Sequence, residues 1–398
     1  MARPASPAAP VAPHRIIPVL GMLAAFAPMA TDMYLPAFHQ MEAWFHVPVG
    51  GVEGTLSIFF LGLAAGQAIY GPLIDRVGRR GPLLAGIALY VLATIACLLT
   101  DDIGLFTTFR FLQAMGGCAG MIIGRAIIRD LFDARESARA LSLLMAVMTL
   151  APILAPILGG FLVSHGPWQL VFYAMLAFGL ICAGLVWLFI PETLAPEHRQ
   201  RHGLGGILKV WAGLVSDRRF IVPALVGGLA QACMFAFITG SPFVFMGLHG
   251  ASAQAYGGLF ALIAAALIVG ANLNARLLRH HAPERLLGLA LGLNVVAGLA
   301  TVLAAGSGSL VGLLVPLWFA IGALGFTTAN AAAVALAATG RHPGSGSSLI
   351  GMAQFGIAFA VSSLVAASQN GTAYPMTVAI AGCGALAFLL WVTVGRRR

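Results

Sequence analysis

The sequence predicts an all-α integral membrane protein with twelve transmembrane helices in two six-helix halves. Of its 398 residues, 60% are hydrophobic and only 9% are charged, whereas a typical soluble domain has about 25% charged residues. Apolar segments long enough to cross a bilayer alternate with short polar loops, which favours helices over the roughly ten-residue alternating strands of a membrane barrel. Lys and Arg collect in alternate loops, as expected when those loops share one side of the membrane.

The first apolar segment follows Arg15 and exceeds the length of a secretory signal's hydrophobic region, so we expect an uncleaved span. The Pro/Ala-rich residues 1–15 before it are expected to be a disordered tail. The twelve predicted spans are 16–37, 51–73, 82–100, 104–128, 138–163, 167–190, 220–247, 254–277, 284–306, 309–331, 345–368 and 373–394.

The longest polar loop, 191–219, falls near the middle and is predicted to join an N-terminal half (16–190) to a C-terminal half (220–398). The segment 275–280 echoes 75–80, a weak internal repeat that supports two related halves. With both termini on the cytoplasmic side, the external loops contain no Lys or Arg. Arg125 then lies near the inner end of the fourth span, and Arg110 is the one basic residue left inside a span.

Composition also excludes several functions. A net charge of +9 would suggest nucleic acid only on a folded polar surface, which this composition does not predict. The five cysteines lie in apolar segments and are interpreted as packing residues. The histidines lie in tails, loops and span ends, so no metal site is predicted. The sequence has no phosphate-binding loop of the Gly-Lys-Ser/Thr kind, so we expect neither ATP nor another cofactor, and no enzyme.

Asp32 is the only acid well inside a predicted span, and a carboxylate at such a place is a functional hypothesis by default. It lies about 8 Å from the outer end of the first span, counted at 1.5 Å per residue, and Arg110 lies about 9 Å from the outer end of the fourth. The matching depths predict that Arg110 is the counter-ion of Asp32. A low-dielectric site favours the protonated carboxyl, whereas a cation or an open water path favours the ionised form. Alternation between these environments would make Asp32 a proton carrier; the alternative is a permanent structural ion pair.

Four segments together resemble the major facilitator superfamily, and within it the twelve-span drug:proton antiporters of the Bcr/CflA (bicyclomycin and chloramphenicol resistance) group. They are the first-span segment 31–36, the loop 71–80 after the second span, the fourth-span segment 110–116 and the fifth-span segment 151–160. The resemblance covers essentially the whole chain.

The resemblance implies roles for particular residues. Asp32 and Arg110 would couple proton movement. A conformational latch that stabilises the outward-facing state would comprise Gly71, Asp75, Arg76, Gly78, Arg79 and Arg80. An antiporter motif, with a bend that serves a gate, would comprise Pro152, Pro156, Gly159 and Gly160. The alternatives are a capped turn with topology anchors for the loop, and close helix packing for the fifth span.

The family plan also implies that spans one, four, seven and ten line a central cavity. The candidate lining residues are Tyr34, Gln113, Gln231, Met234, Phe235 and Asn330. Such an apolar, aromatic and Met-containing wall suits lipophilic compounds, although each residue alone also suits core packing.

The predicted function is proton-coupled efflux of small lipophilic drugs by alternating access across a bacterial inner membrane. The expected partners are drugs, protons and membrane lipid, with no nucleic acid. The protein is expected to be a monomer, and transport is expected to be driven by the proton gradient. The alternatives are a proton-coupled or facilitated transporter of a small polar metabolite or sugar, and a non-transporting receptor or scaffold.

Overall fold

The computed structural model describes residues 13–48, 50–195, 197, 199, 204–340 and 342–395, and within these ranges the chain is helical with no β-strand. Twelve helical segments are long and apolar enough to span a membrane, which confirms the predicted number. Spans 1 to 12 are Ile16–Phe45, Glu53–Val77, Arg80–Leu99, Ile103–Leu131, Arg135–His165, Gln169–Phe189, Arg218–Leu248, Ala253–Leu277, Pro283–Ala305, Leu310–Ala337, Pro343–Ala367 and Tyr374–Gly395.

Span 1 is longer than predicted and is not one regular helix. The chain from Pro13 to Phe45 forms the helices Pro13–Ala24 and Phe26–Asp32, the 3₁₀ turn Leu35–Ala37 and the helix Phe38–Phe45. The predicted end at residue 37 was wrong because the polar residues that follow lie on one side of a helix whose other side is buried. Residues 1–12 of the predicted tail lie outside the described residues, and the first helix begins before the predicted tail ends.

The predicted central loop contains a helix, Leu204–Ser216, which we call the linker helix. Its Leu214 packs in a small apolar cluster with Phe220 of span 7 and Ile350 of span 11. Residues 196, 198 and 200–203 of the predicted loop lie outside the described part. Because of this apolar cluster, the linker helix lies against the C-terminal half.

The loops after spans 2, 4, 6, 8 and 10 carry the basic residues, and we call their side of the protein the basic face and the other side the opposite face. The two halves meet where span 2 packs against span 11 and span 5 against span 8. At the opposite face, the Gln369 amide donates to both Glu53 carboxylate oxygens, at 2.9 and 3.2 Å. At the basic face, Gly71 of span 2 lies against the Ser348 hydroxyl of span 11. The two halves are thus in contact near both faces.

Candidate functional site

Asp32 lies in the interior of the protein, at the end of the helix Phe26–Asp32. Its side chain is almost fully buried, and its Oδ1 has no hydrogen-bond partner in the described structure. Because span 1 continues to Phe45, thirteen positions separate Asp32 from the opposite-face end of the span. Asp32 is thus close to the middle of span 1.

Arg110 is completely buried and its guanidinium bonds to neutral groups. Its Nη2 donates to the carbonyl of Ala30 at 2.8 Å, and its Nη1 donates to Oε1 of Gln113. The Gln113 amide donates in turn to Thr94 of span 3 at 2.7 Å. Arg110 therefore connects spans 1, 3 and 4 by hydrogen bonds.

Aromatic rings surround the same guanidinium. The Arg110 Cζ lies 4.2 Å from the ring centre of Tyr34, 4.3 Å from that of Phe59 and 5.7 Å from that of Phe172. A cation over an aromatic face is stabilised by about 2 kcal/mol or more when it is desolvated. The ion pairs between described residues do not join Asp32 and Arg110. Arg110 takes its partners from carbonyl, amide and ring groups, so its role as the counter-ion of Asp32 stays a prediction.

The antiporter motif of span 5 approaches both span 1 and the other half. A Cβ on Gly159 would lie 1.8 Å from the carbonyl oxygen of Met33, the residue after Asp32, and a Cβ on Gly160 would lie 2.4 Å from the carbonyl oxygen of Ala253 in span 8. Pro152 and Pro156 lie within one continuous helix, Ala134–His165. The two glycines allow main chains to touch, as the packing interpretation expects.

The loop between spans 2 and 3 forms an ionic cluster with span 4. Arg79 bonds to Asp75 through Nη1 at 2.8 Å and to Asp130 of span 4 through Nε at 3.0 Å. Arg76 lies in the last turn of span 2. Asp130 also accepts from the Thr193 hydroxyl at 2.9 Å, so the cluster joins spans 2 and 4 to the start of the central loop.

Gly78 and Glu192 complete this cluster. Gly78 has a φ of +111°, and a Cβ there would lie 2.4 Å from the Glu192 carboxylate. That carboxylate accepts from the main-chain N–H groups of Arg79 at 2.8 Å and Arg80 at 3.3 Å. Burial alone would raise the pKa of Glu192, but the main-chain N–H groups, including that of Leu194, outweigh it and lower the pKa. The geometry explains why this turn requires a glycine at 78.

The predicted substrate contacts lie in several environments. The Tyr34 hydroxyl is 3.2 Å from that of Thr55, and the Phe235 ring packs against Phe60 of the other half at 4.5 Å. Asn330 exchanges amide hydrogen bonds with Asn274 of span 8, Gln231 accepts from Thr328, and Met234 is buried. Of the six, Tyr34 and Gln113 contact Arg110, and the others lie on spans 7 and 10.

Glu53 is an acid whose burial the sequence did not indicate. It lies two residues inside the predicted start of span 2, yet it is 1% exposed and bonded to Gln369. The signal in the sequence was an acid near the beginning of a largely apolar segment.

A comparison with known families identifies this architecture. Residues 20–363 match the model of the Major Facilitator Superfamily. The chain belongs to the major facilitator superfamily. Among curated members it is 30% identical over 381 residues to a bicyclomycin resistance protein homolog of Haemophilus influenzae, with 94% of each chain covered. It is 32% identical over 249 residues to the multidrug transporter MdfA of Yersinia pestis, with 63% of this chain and 61% of that protein covered. These relatives confirm the resemblance to the Bcr/CflA group.

The fold agrees with solved major facilitator structures. The crystal structure of a D-xylose–proton symporter superimposes with a TM-score of 0.74 and 16% identity, covering 96% of this chain and 97% of the other. At that identity the likeness shows the fold alone. The chain is thus a multi-pass membrane transporter of this superfamily, with multidrug and bicyclomycin resistance relatives.

Proposed function

We propose that this transporter exports small lipophilic drugs in exchange for protons, with Asp32 as the proton carrier. The observation that carries the proposal is that Asp32 is a buried carboxylate with one unpaired oxygen, beside the contact between Met33 and the glycine-rich segment of span 5. A carboxyl that lacks a cationic partner can bind and release a proton without breaking an ion pair. The resistance relatives support drugs as the substrate class.

In the proposed cycle, Asp32 releases its proton toward the cytoplasm when the site faces inward, and drug binding follows. Protonation from outside then favours drug release. Thermodynamic linkage requires that each ligand weakens binding of the other. Arg110 holds span 1 in place through the Ala30 carbonyl, so we assign it a positioning role beside the carrier.

The cycle also requires an orientation, and we propose that the basic face is cytoplasmic because Lys and Arg are retained on that side. The test adds one cysteine at a time, at Ser307 of the opposite face or at Arg279 of the basic face. The five native cysteines are buried, so the added cysteine is the one expected to react. A membrane-impermeant maleimide applied to intact cells should label only the first variant. Labelling of only the second variant would show that the opposite face is cytoplasmic.

The coupling test is drug-driven proton release from everted vesicles that have an acidic interior. The panel includes chloramphenicol and bicyclomycin, and the variants are Asp32→Asn and the exposed-loop control Asp101→Asn. We expect release by wild type and Asp101→Asn, and none by Asp32→Asn. Equal release by Asp32→Asn would remove Asp32 as carrier, and the absence of release for every compound with well-expressed wild type would count against drug antiport and favour a metabolite.

A further inference from the structure

A cavity of about 780 Å³ lies at the basic face, away from Asp32 and Arg110. Its walls come from the basic-face ends of spans 2, 4 and 5, from the first turns of span 11, and from the linker helix. Ligand sites for drug-sized molecules commonly have volumes of about 300–1,000 Å³. The cavity is therefore large enough for a small organic molecule or a lipid headgroup.

Two residues of the cavity wall each carry a buried hydrogen-bond donor that lacks an acceptor. The donors are Nε of Arg125 in span 4 and Nε1 of Trp211 in the linker helix. Both groups can only donate, and a buried donor without a partner is unfavourable. The two donors come from separate parts of the chain, and each lacks an acceptor among the described residues.

The other polar groups of the cavity favour a negative ligand. Span 11 begins here, and Ser345, Ser347 and Ser348 of its first turns line the wall. The start of a long helix has unpaired N–H groups and the positive end of its dipole. Arg129 and His342 also line the cavity. The acid among its lining residues, Asp75, already bonds to Arg79 at 2.8 Å.

We propose that this cavity binds an oxyanion, a carboxylate or a phosphate, carried on an apolar body. Arg125 and Trp211 donate to the anion, and Arg129 adds positive charge. The apolar part lies against side chains such as Ile122, Leu141 and Val210, which complete the wall. The proposal concerns binding and does not depend on drug:proton exchange. A small amphipathic acid and an anionic phospholipid both present this chemistry.

The test uses the purified full-length protein in nanodiscs of phosphatidylcholine, with radiolabelled 2-naphthoate as the probe and 2-naphthamide as its neutral analogue. We expect Arg125→Met to weaken naphthoate binding by about tenfold or more, because a charge-assisted bond is lost. Trp211→Phe keeps the ring and removes one neutral donor, so a loss of about fivefold is expected. The control Arg139→Ala, on the same face outside the cavity, should stay within about twofold. Naphthamide should bind wild type and Arg125→Met equally.

A second arm identifies the source of the anion. Phosphatidylglycerol is added to the nanodiscs, and its retention by wild type and Arg125→Met is measured by native mass spectrometry. Competition with naphthoate and Arg125-dependent retention would identify a lipid headgroup as the ligand. Naphthoate binding without competition would identify a small acid.

Equal naphthoate binding by wild type and a folded Arg125→Met would overturn the proposal. So would a wild type that neither binds naphthoate nor retains phosphatidylglycerol through Arg125. Folding is judged from the gel-filtration peak and the melting temperature. If Arg125→Met does not fold, Arg125→Lys, which keeps the charge without the Nε donor, replaces it, and unchanged affinity in that variant together with unchanged affinity in Trp211→Phe would be the contradicting result.

Discussion

Gly159→Ala tests the contact between span 5 and span 1 beside Asp32. The added Cβ would lie 1.8 Å from the carbonyl oxygen of Met33, whereas carbon and oxygen atoms in ordinary contact stay more than about 3 Å apart. Both contact partners are main-chain atoms, so no side-chain rotation relieves the overlap. The two helices must separate by about 1 Å or more, and span 1 moves at the residue that follows the proposed proton carrier.

The cost can be bounded from two opposing effects. Overpacking of a close contact costs about 1–3 kcal/mol, and a main-chain collision belongs at the upper end of that range. Alanine is preferred over glycine inside a helix by about 1 kcal/mol. We therefore expect Gly159→Ala to lose about 2 kcal/mol of unfolding free energy.

Gly184→Ala is the matched control, because an added Cβ at Gly184 in span 6 has open space around it. The control should keep or gain stability. Denaturant unfolding in mixed micelles measures the free energy of unfolding of both variants. Proton release in everted vesicles reports whether displacement of Asp32 impairs coupling. Equal stability and equal proton release in Gly159→Ala and Gly184→Ala would show that the contact between spans 5 and 1 contributes neither to stability nor to transport.

Three further predictions concern buried and loop charges. Arg110→Lys keeps the charge but loses the planar donor and ring contacts, so unfolding measurements should show a loss of about 2–3 kcal/mol; wild-type stability would contradict the aromatic enclosure. Asp32→Asn should leave stability equal or raise it by up to about 1 kcal/mol, because it replaces a buried ionisable carboxyl with a neutral amide of the same size; a loss above about 2 kcal/mol would instead indicate a structural pair. Glu192 has a lowered pKa, so its stabilisation is present above the ordinary Glu value of about 4.3 and is lost as pH falls through the folded value below it. The melting temperature of wild type minus Glu192→Gln should therefore shrink toward zero only in that acidic range, and a difference independent of pH would refute the role of ionised Glu192.

Hydrophobic length predicted the spans well, since about 20 apolar residues must cross the bilayer as a helix. It failed at the end of span 1, where His39, Gln40 and Glu42 lower the local hydropathy. Phe38 and Met41 on the other side of the same helix are buried. A one-sided apolar pattern continues a span that an average over the window would end.

The partners of the charged residues were beyond the sequence. Arg110 and Ala30 are eighty positions apart, and a carbonyl acceptor has no sequence signal. The ring faces around Arg110 come from three different spans. The cavity donors Arg125 and Trp211 likewise meet only after the linker helix packs. Residue type indicated which groups are unusual inside a membrane, while their pairing depends on tertiary packing.

The aromatic enclosure of Arg110 has an electrical consequence. Because arginine stays protonated in proteins, the interior region that contains Arg110 and Asp32 would be neutral with Asp32 ionised and would carry one positive charge with Asp32 protonated. One elementary charge that crosses the full membrane potential changes the free energy by about 2.3 kcal/mol per 100 mV. The membrane voltage, and not only the pH difference, would then favour one state of the cycle over the other.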